Sequence, residues 1–336
     1  MRTHHVAWNS LGLLPYVVET LRLLSEQSGD PQPTIRYRTK IKQHGTNCAV
    51  QVRRDGEHVG VFAQGRTDLL TPEADYKGFA KWVRDNEERF RAVPGEDLTI
   101  FGEWAGPGVE PGMAVSKVEG RMFFVFAVQV GRGEGASLIY DPDVICQIIT
   151  PAAWIMGLIV LPWEEPEVTI NFADPASVEA AARAMSAVVL EVEREDPFVK
   201  RVLGLSGMGE GLVFYPVGEV PSDPESYSRL MWKAKGDKHA TVRQRTPVQA
   251  APEVVASVSA FVDLMVTEPR LLQGVTVACG GVYDPKLTGK FVSWLSGDVQ
   301  KESTAELGAS GLSWAQVQRA VETCGRQWYL SRAKPA

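Results

Sequence analysis

The sequence predicts an α+β fold, sheet-rich first and helical last, and three observations carry that expectation. Runs such as Cys48 to Val52 and Met122 to Val130 are strand-length and rich in β-branched or aromatic residues. The stretch 13–27 spaces its apolar residues as helices do, Asp174-Pro175 starts a helix through about Glu195, and beyond Pro247 strand-like runs stop while helical spacing takes over. With 336 residues, 44% of them hydrophobic, the chain can bury a full core, and its length favours about two domains. The expected division is 1–245 and 246–336, with the linker in Gln244-Arg245-Thr246-Pro247-Val248-Gln249-Ala250-Ala251-Pro252.

In chain order, Val17, Leu21 and Leu24 form one face of a first helix, which Ser28-Gly29-Asp30-Pro31 ends. Residues 37–42 and 48–52 read as strands, with His44-Gly45-Thr46-Asn47 as the turn between them. Gln64-Gly65-Arg66-Thr67 is a polar turn at a strand end, after which Thr71-Pro72 is expected to open a helix running to about Arg91 on a face of Tyr76, Phe79, Ala80 and Val83. Leu98-Thr99-Ile100-Phe101 is a short strand that delivers Gly102-Glu103-Trp104. Met122 to Val130 is apolar enough to be central in a sheet. Gly131-Arg132-Gly133-Glu134-Gly135 lacks the following helix that a dinucleotide-binding turn requires, so it is expected to be a hairpin turn. Asp174-Pro175 caps and starts a long helix, Gly204 to Gly209 is a loop, and Leu230 to Lys235 is a strand that ends in alternating lysines. In the tail, Val255, Val258, Val262 and Met265 share a stripe, and Ser313-Trp314-Ala315-Gln316 is a capping box for a last helix.

Several classes are disfavoured at once. No apolar run reaches the roughly 18 residues of a membrane span, since the nearest, 155–161, stops at Pro162 and two glutamates. Glu19 and Arg22 interrupt the first apolar stretch, so a signal peptide is not expected and a cytoplasmic enzyme is. Cys48, Cys146, Cys279 and Cys324 are too dispersed for a zinc site or a disulfide framework. A net charge of −6 argues against bulk attraction to nucleic acid but permits a local basic groove, for which Lys233, Lys235, Lys238, Arg243 and Arg245 are the cluster.

Chemistry centres on Lys40-Ile41-Lys42-Gln43-His44-Gly45-Thr46-Asn47. A lysine three residues before a glycine at a strand end can present its amine to a phosphate, provided nearby cations and partial burial lower its pKa. Read alone, Lys42 is equally the solvated lysine of a hairpin, Glu210 a surface loop acid, Arg66 a solvated turn residue, Phe124 and Phe126 core packing, and Lys233 and Lys235 the exposed face of an edge strand. Taken together they supply an amine, two carboxylates, a cation pair and stacking rings, the parts that nucleotidyl transfer to a lysine needs.

The set resembles the RNA ligases of the bacteriophage RNA ligase 2 kind, within the lysine-adenylating nucleotidyltransferases. The carrying segments are Lys42-Gln43-His44-Gly45-Thr46-Asn47, Phe101 to Gly108 around Glu103, Phe123-Phe124-Val125-Phe126, Glu210-Gly211-Leu212-Val213 and Lys233-Ala234-Lys235, in that order over roughly residues 35–240. The resemblance implies an ATP-grasp-like nucleotidyltransferase domain of antiparallel sheets with flanking helices, followed by a small all-helical domain. It implies an ATP-dependent RNA ligase that carries AMP on Lys42 and joins 3′-hydroxyl and 5′-phosphate ends, preferably at nicks in duplex RNA or RNA/DNA hybrid. It further implies that Gln43, Asn47, Arg66, Glu103, Phe126, Glu210, Lys233 and Lys235 bind the nucleotide with Lys42, and that Asn47, Glu103 and Glu210 organise Mg²⁺ or Mn²⁺. His44 would serve the later steps, and the protein is expected to be monomeric, in host cytoplasm if phage-encoded. Ile41 and Ala127 depart from the family pattern at positions that touch nucleotide preference, and Tyr215 stands where a basic residue can stand in the relative, which touches nick affinity. A DNA ligase or guanylyltransferase of the same superfamily, or a non-catalytic RNA-end-binding protein, are the alternatives.

Overall fold

A computed structural model describes residues 3–9, 11–75, 77–108, 112–239, 255 and 257–333. Its strands are β1 (Thr34–Ile41), β2 (Thr46–Asp55), β3 (His58–Gln64), β4 (Leu69–Leu70), β5 (Leu98–Ala105), β6 (Met122–Val130), β7 (Ser137–Ile139), β8 (Leu158–Val160), β9 (Glu164–Asn171), β10 (Gly211–Val217) and β11 (Trp232–Lys235). Its α-helices are α1 (Leu14–Ser28), α2 (Phe79–Asp85), α3 (Glu87–Arg91), α4 (Pro142–Ile148), α5 (Pro175–Arg194), α6 (Pro197–Leu203), α7 (Pro224–Leu230), α8 (Val258–Met265), α9 (Glu268–Cys279), α10 (Thr288–Glu302), α11 (Thr304–Ser310) and α12 (Trp314–Arg332). The mixed fold of antiparallel sheets, flanking helices and a helical C-terminal region is the architecture expected.

The chain forms two compact units, one from residues 1–11, 35–169 and 191–231, the other from 12–34, 170–190 and 232–336. In the first unit one sheet runs in the order β4-β3-β2-β5-β6-β7, with β8 added parallel to β6. Alternation along these strands sends Cys48, Val50, Val52, Ile100, Trp104, Phe123 and Val125 to one face, where they bury Phe79, Val83 and Phe90 beneath them. A second sheet of this unit sets β1 between β10 and β9. The glycine-rich turn after β6 is the expected hairpin, with Val130 opposite Ser137 and Gly131 at φ 80°. A register shift between Phe101 and Gly102 marks a bulge opposite Phe126, and a Cβ on Gly102 would lie 2.5 Å from the Phe123 ring.

One helix is shorter than the periodicity predicts. Lys77 and Gly78 adopt φ 52° and 83°, which a helix cannot contain, so α2 begins at Phe79 and the run breaks again at Asn86. Asp75 accepts from the Ala80 and Lys81 amides and closes that end, while Tyr76 lies outside the described residues.

In the second unit Phe261, Met265, Val275, Phe291, Leu295, Val299, Val317, Val321 and Tyr329 form the core of α8–α12. The Ser313–Gln316 capping box is present at the start of α12. The expected linker at 244–252 lies outside the described residues. Among the described residues no helix is long and apolar enough to cross a membrane.

Candidate active site

Lys42 follows β1 directly, and Glu210 directly precedes β10. The antiparallel register that pairs Ile41 with Leu212 continues one step further, where the Lys42 amide donates to the Gly211 carbonyl at 2.9 Å. Residues 168 apart in sequence are thereby placed side by side at one sheet end. Lys42 Nζ donates to Glu210 Oε2 at 2.8 Å, and His44 Nδ1 lies 3.5 Å from the same oxygen. Gly45 then crosses so close to β5 that a Cβ would sit 2.6 Å from the Trp104 carbonyl oxygen. Its smallness therefore serves the crossing from one sheet to the other, where the motif suggested a hairpin and an approach to phosphate.

β2, β5 and β6 supply the facing wall. Asn47 pairs with Glu103 and Glu103 with Phe124, so the three side chains share the sheet face opposite the apolar core. Phe124 is fully buried, with Phe198 of α6 edge-on at 6.1 Å. Phe126 sits at the bulge, half-buried, its ring 4.8 Å from Trp8. Gln43 is buried, its amide nitrogen 3.5 Å from Asp196 Oδ2, while its Oε1 has no hydrogen-bond partner among the described residues. Arg66 is exposed at the end of β3 and close enough to act on the charges of Lys42 and Glu103.

The electrostatics differ from the expectation of a lysine made neutral by its surroundings. Burial does push the Lys42 amine down, but Glu210 and Glu103 outweigh it and hold its pKa above the ordinary lysine value. In the free protein Lys42 is an ammonium. Glu103 is pushed up to about 7, first by burial and then by Glu210, with Lys42 opposing. Two carboxylates thus compete for one ammonium. That excess of negative oxygen suits a divalent cation, and the donors present, two carboxylates and the Asn47 amide oxygen, suit a hard ion that keeps water ligands. Among the described residues no group of three or more His, Cys, Asp or Glu could hold a metal by itself.

The structure therefore gathers Lys42, His44, Asn47, Arg66, Glu103 and Glu210 within the first unit. Lys233 and Lys235 belong to the second, on β11, and both are buried, which overturns the solvated edge-strand alternative. Lys233 pairs with Glu302 of α10. Lys238 is exposed, and Arg243 and Arg245 of the expected basic cluster lie outside the described residues.

Two charged residues escaped the sequence reading. Lys40, fully buried, donates to the Phe126 and Tyr140 carbonyls at 2.9 and 2.7 Å and lies over the Trp163 ring; burial pushes its pKa down to about 7. Glu302 was silent because its partners, Lys233 and Arg270, lie 69 and 32 residues away.

A family described as RNA ligase matches residues 37–235, more than half of the chain. No curated relative matches at the sequence level. Among solved structures, a ligand-free Naegleria gruberi RNA ligase variant is similar at 16% identity and TM-score 0.44, over 69% of this chain and 56% of that one. Another variant of that ligase, with ATP and Mn, is similar at 14% identity and TM-score 0.45 over the same shares. The chain thus spans little more than half the length of that ligase.

Proposed function

The chain belongs to the RNA ligase family, and from that premise we propose that it is an ATP-dependent ligase that joins 3′-hydroxyl and 5′-phosphate RNA ends through AMP carried on Lys42. The observation that carries this reading is the 2.8 Å contact between the Lys42 amine and Glu210 beside the raised carboxyl of Glu103. Three segments distant in sequence supply one amine and two acids in a shared, largely dry site.

Lys42 waits as an ammonium and must lose its proton to attack. As the nucleotide site fills and the charges of Glu210 and Glu103 are both neutralised, burial and Arg66 remain as the forces on Lys42, and both favour the neutral amine. The amine then forms a bond to the α-phosphorus of ATP while the bond to pyrophosphate breaks. A bound Mg²⁺ or Mn²⁺ would neutralise charge on the phosphate oxygens, and Glu103, Glu210 and Asn47 would hold it or its waters. Glu103 would alternatively take a ribose hydroxyl. Gln43, whose buried acceptor lacks a donor among the described residues, would receive an N–H of the base, and Phe126 would stack on it. Lys233 and Lys235 would neutralise the transferring phosphate and Arg66 the 5′-phosphate of the RNA. His44, already beside Glu210, would serve transfer of AMP to that 5′-phosphate and its displacement by the 3′-hydroxyl. We assign nicked duplex RNA or RNA/DNA hybrid as substrate and a monomer in the cytoplasm as the working form.

The test is incubation with α-labelled ATP or GTP and magnesium, followed by a denaturing gel. A covalent adduct from ATP only, lost in Lys42→Ala with the fold intact, is the expected result. Label from GTP would instead mean guanylyl transfer, and label retained by Lys42→Ala would refute the nucleophile. Strand joining on nicked RNA, hybrid and DNA duplexes checks the substrate, with nicked RNA or hybrid sealed best.

A further inference from the structure

The helical C-terminal region carries a buried charge network that reaches β11. Arg270 of α9 has no exposed surface. Its Nε donates to Asp298 Oδ2 at 3.0 Å, its Nη1 to the Met265 carbonyl at 2.5 Å and its Nη2 to Glu302 Oε2 at 2.6 Å. Asp298 and Glu302 are one turn apart on α10, so one guanidinium fork fixes both. The other oxygen of Glu302, Oε1, takes the Lys233 ammonium. The backbone of Lys233 is held too, its amide donating to the Gly12 carbonyl at 3.0 Å. Burial alone would push the Glu302 carboxyl up, but Lys233, Arg270 and Lys235 hold it well below the usual range. Glu306, across the break between α10 and α11, is instead pushed up by burial, so Glu302 is the carboxylate that stays charged toward the lysines.

We propose that Glu302 is a positioning residue for Lys233, fixing its ammonium through a carboxylate that Arg270 clamps, so that the helical C-terminal region takes part in adenylyl transfer. The proposal rests on the reading that these lysines face phosphate. A lysine has four rotatable side-chain bonds and carries its charge as a mobile point. A buried pair with a carboxylate anchored on its other oxygen removes that mobility, which is the preorganisation that stabilising a developing phosphate charge requires.

The experiment uses the full chain with Glu302→Gln, Glu302→Asp, Lys233→Ala and the double variant Lys233→Ala/Glu302→Gln. In single-turnover adenylylation at saturating ATP, Glu302→Gln should slow the step by about ten- to a hundredfold, the worth of a hydrogen bond to a charged group. The ATP concentration for half-maximal rate should change less than about twofold, since the loss falls on the transition state. Lys233→Ala and the double variant should share one rate, because Glu302 acts only through that amine; a contribution to the fold alone would add its own loss. Glu302→Asp keeps the charge but is too short to span Arg270 and Lys233 together, and it should also be slow at a temperature well below its own, lowered, unfolding midpoint. It decides the matter if Glu302→Gln fails to fold. Independently of turnover, acylation of Lys233 by an amine-directed reagent should accelerate in Glu302→Gln. A wild-type chain that forms no adduct overturns the functional reading and this inference with it. A wild-type chain that forms adduct, with Glu302 variants equally fast, overturns this inference alone.

Discussion

Glu210→Gln is the sharpest probe of the site, because it removes one charge from a pair whose geometry is known and keeps an oxygen acceptor in place. The side chains of Lys42 and Glu210 are 22% and 5% exposed, so the reagent can reach the amine while the carboxylate stays largely dry. A hydrogen bond to a charged group in such a setting is worth about 1.5–3 kcal/mol. At about 1.4 kcal/mol per tenfold, the neutral fraction of Lys42 at a fixed pH below its pKa should rise by about ten- to a hundredfold. Glu103 still attracts the ammonium, which favours the lower figure. The assay is trace acylation of the free protein at pH 8, without nucleotide or metal, with each lysine quantified by peptide mass spectrometry. Exposed Lys81 is the reference, and fully buried Lys40 should stay unmodified. Stability offers a second readout. A lysine whose folded pKa is raised contributes stability below its unfolded value, about 10.5, and loses it as pH rises through the folded one. The variant's deficit in urea midpoint should therefore be full at pH 8 and shrink above pH 10.5. Acylation of Lys42 no faster than in wild type, or a deficit that grows with alkali, would refute the reasoning, since either means that Glu210 does not hold the proton on Lys42.

Glu103→Gln should abolish sealing and yet stabilise the free protein at alkaline pH. With its pKa raised from 4.5 to about 7, the carboxyl costs nothing below pH 4.5 and opposes folding increasingly until it ionises in the folded state near pH 7. The cost is about 3 kcal/mol at most, because solvent reaches part of the side chain. Urea midpoints at pH 4.5 and 8.5 should differ from wild type only at the higher pH, and equal midpoints at both would count against the shift. Gly45→Ala should lower stability by about 1–3 kcal/mol, since the added methyl meets the Trp104 carbonyl rather than a movable side chain. A thermal melt indistinguishable from wild type would mean that the crossing can relax.

The parts of the site that sequence reasoning reached are those whose chemistry is written locally. Lys42 with Gly45 and Asn47, and Glu210 before Gly211, sit at strand ends that alternation and glycine punctuation disclose, whereas Glu103, expected at a strand end, lies inside β5 with Asn47 and Phe124 on either side. Their meeting is a matter of register, and the pairing of Ile41 with Leu212 that brings Lys42 to Glu210 has no local signal. The short α2 was half legible: Gly78 at positive φ is a glycine that marks the break, while Lys77 at positive φ beside it carries no such signal. The protonation state of Lys42 was misread because local sequence shows the cations near a residue more readily than the carboxylates that folding delivers from 61 and 168 positions away. The same limit hid Glu302, a terminal helix residue with no motif around it. What local pattern supplies is thus the list of reactive groups, and what only the fold supplies is which carboxylate each amine answers to. Lys42 is paired with Glu210, which must be neutralised before the amine can react, whereas Lys233 is paired with Glu302, whose charge Arg270 anchors away from solvent. Under the proposed function the first pairing would be undone when nucleotide arrives and the second would persist through the cycle, the division of labour expected between a nucleophile and a fixed cation.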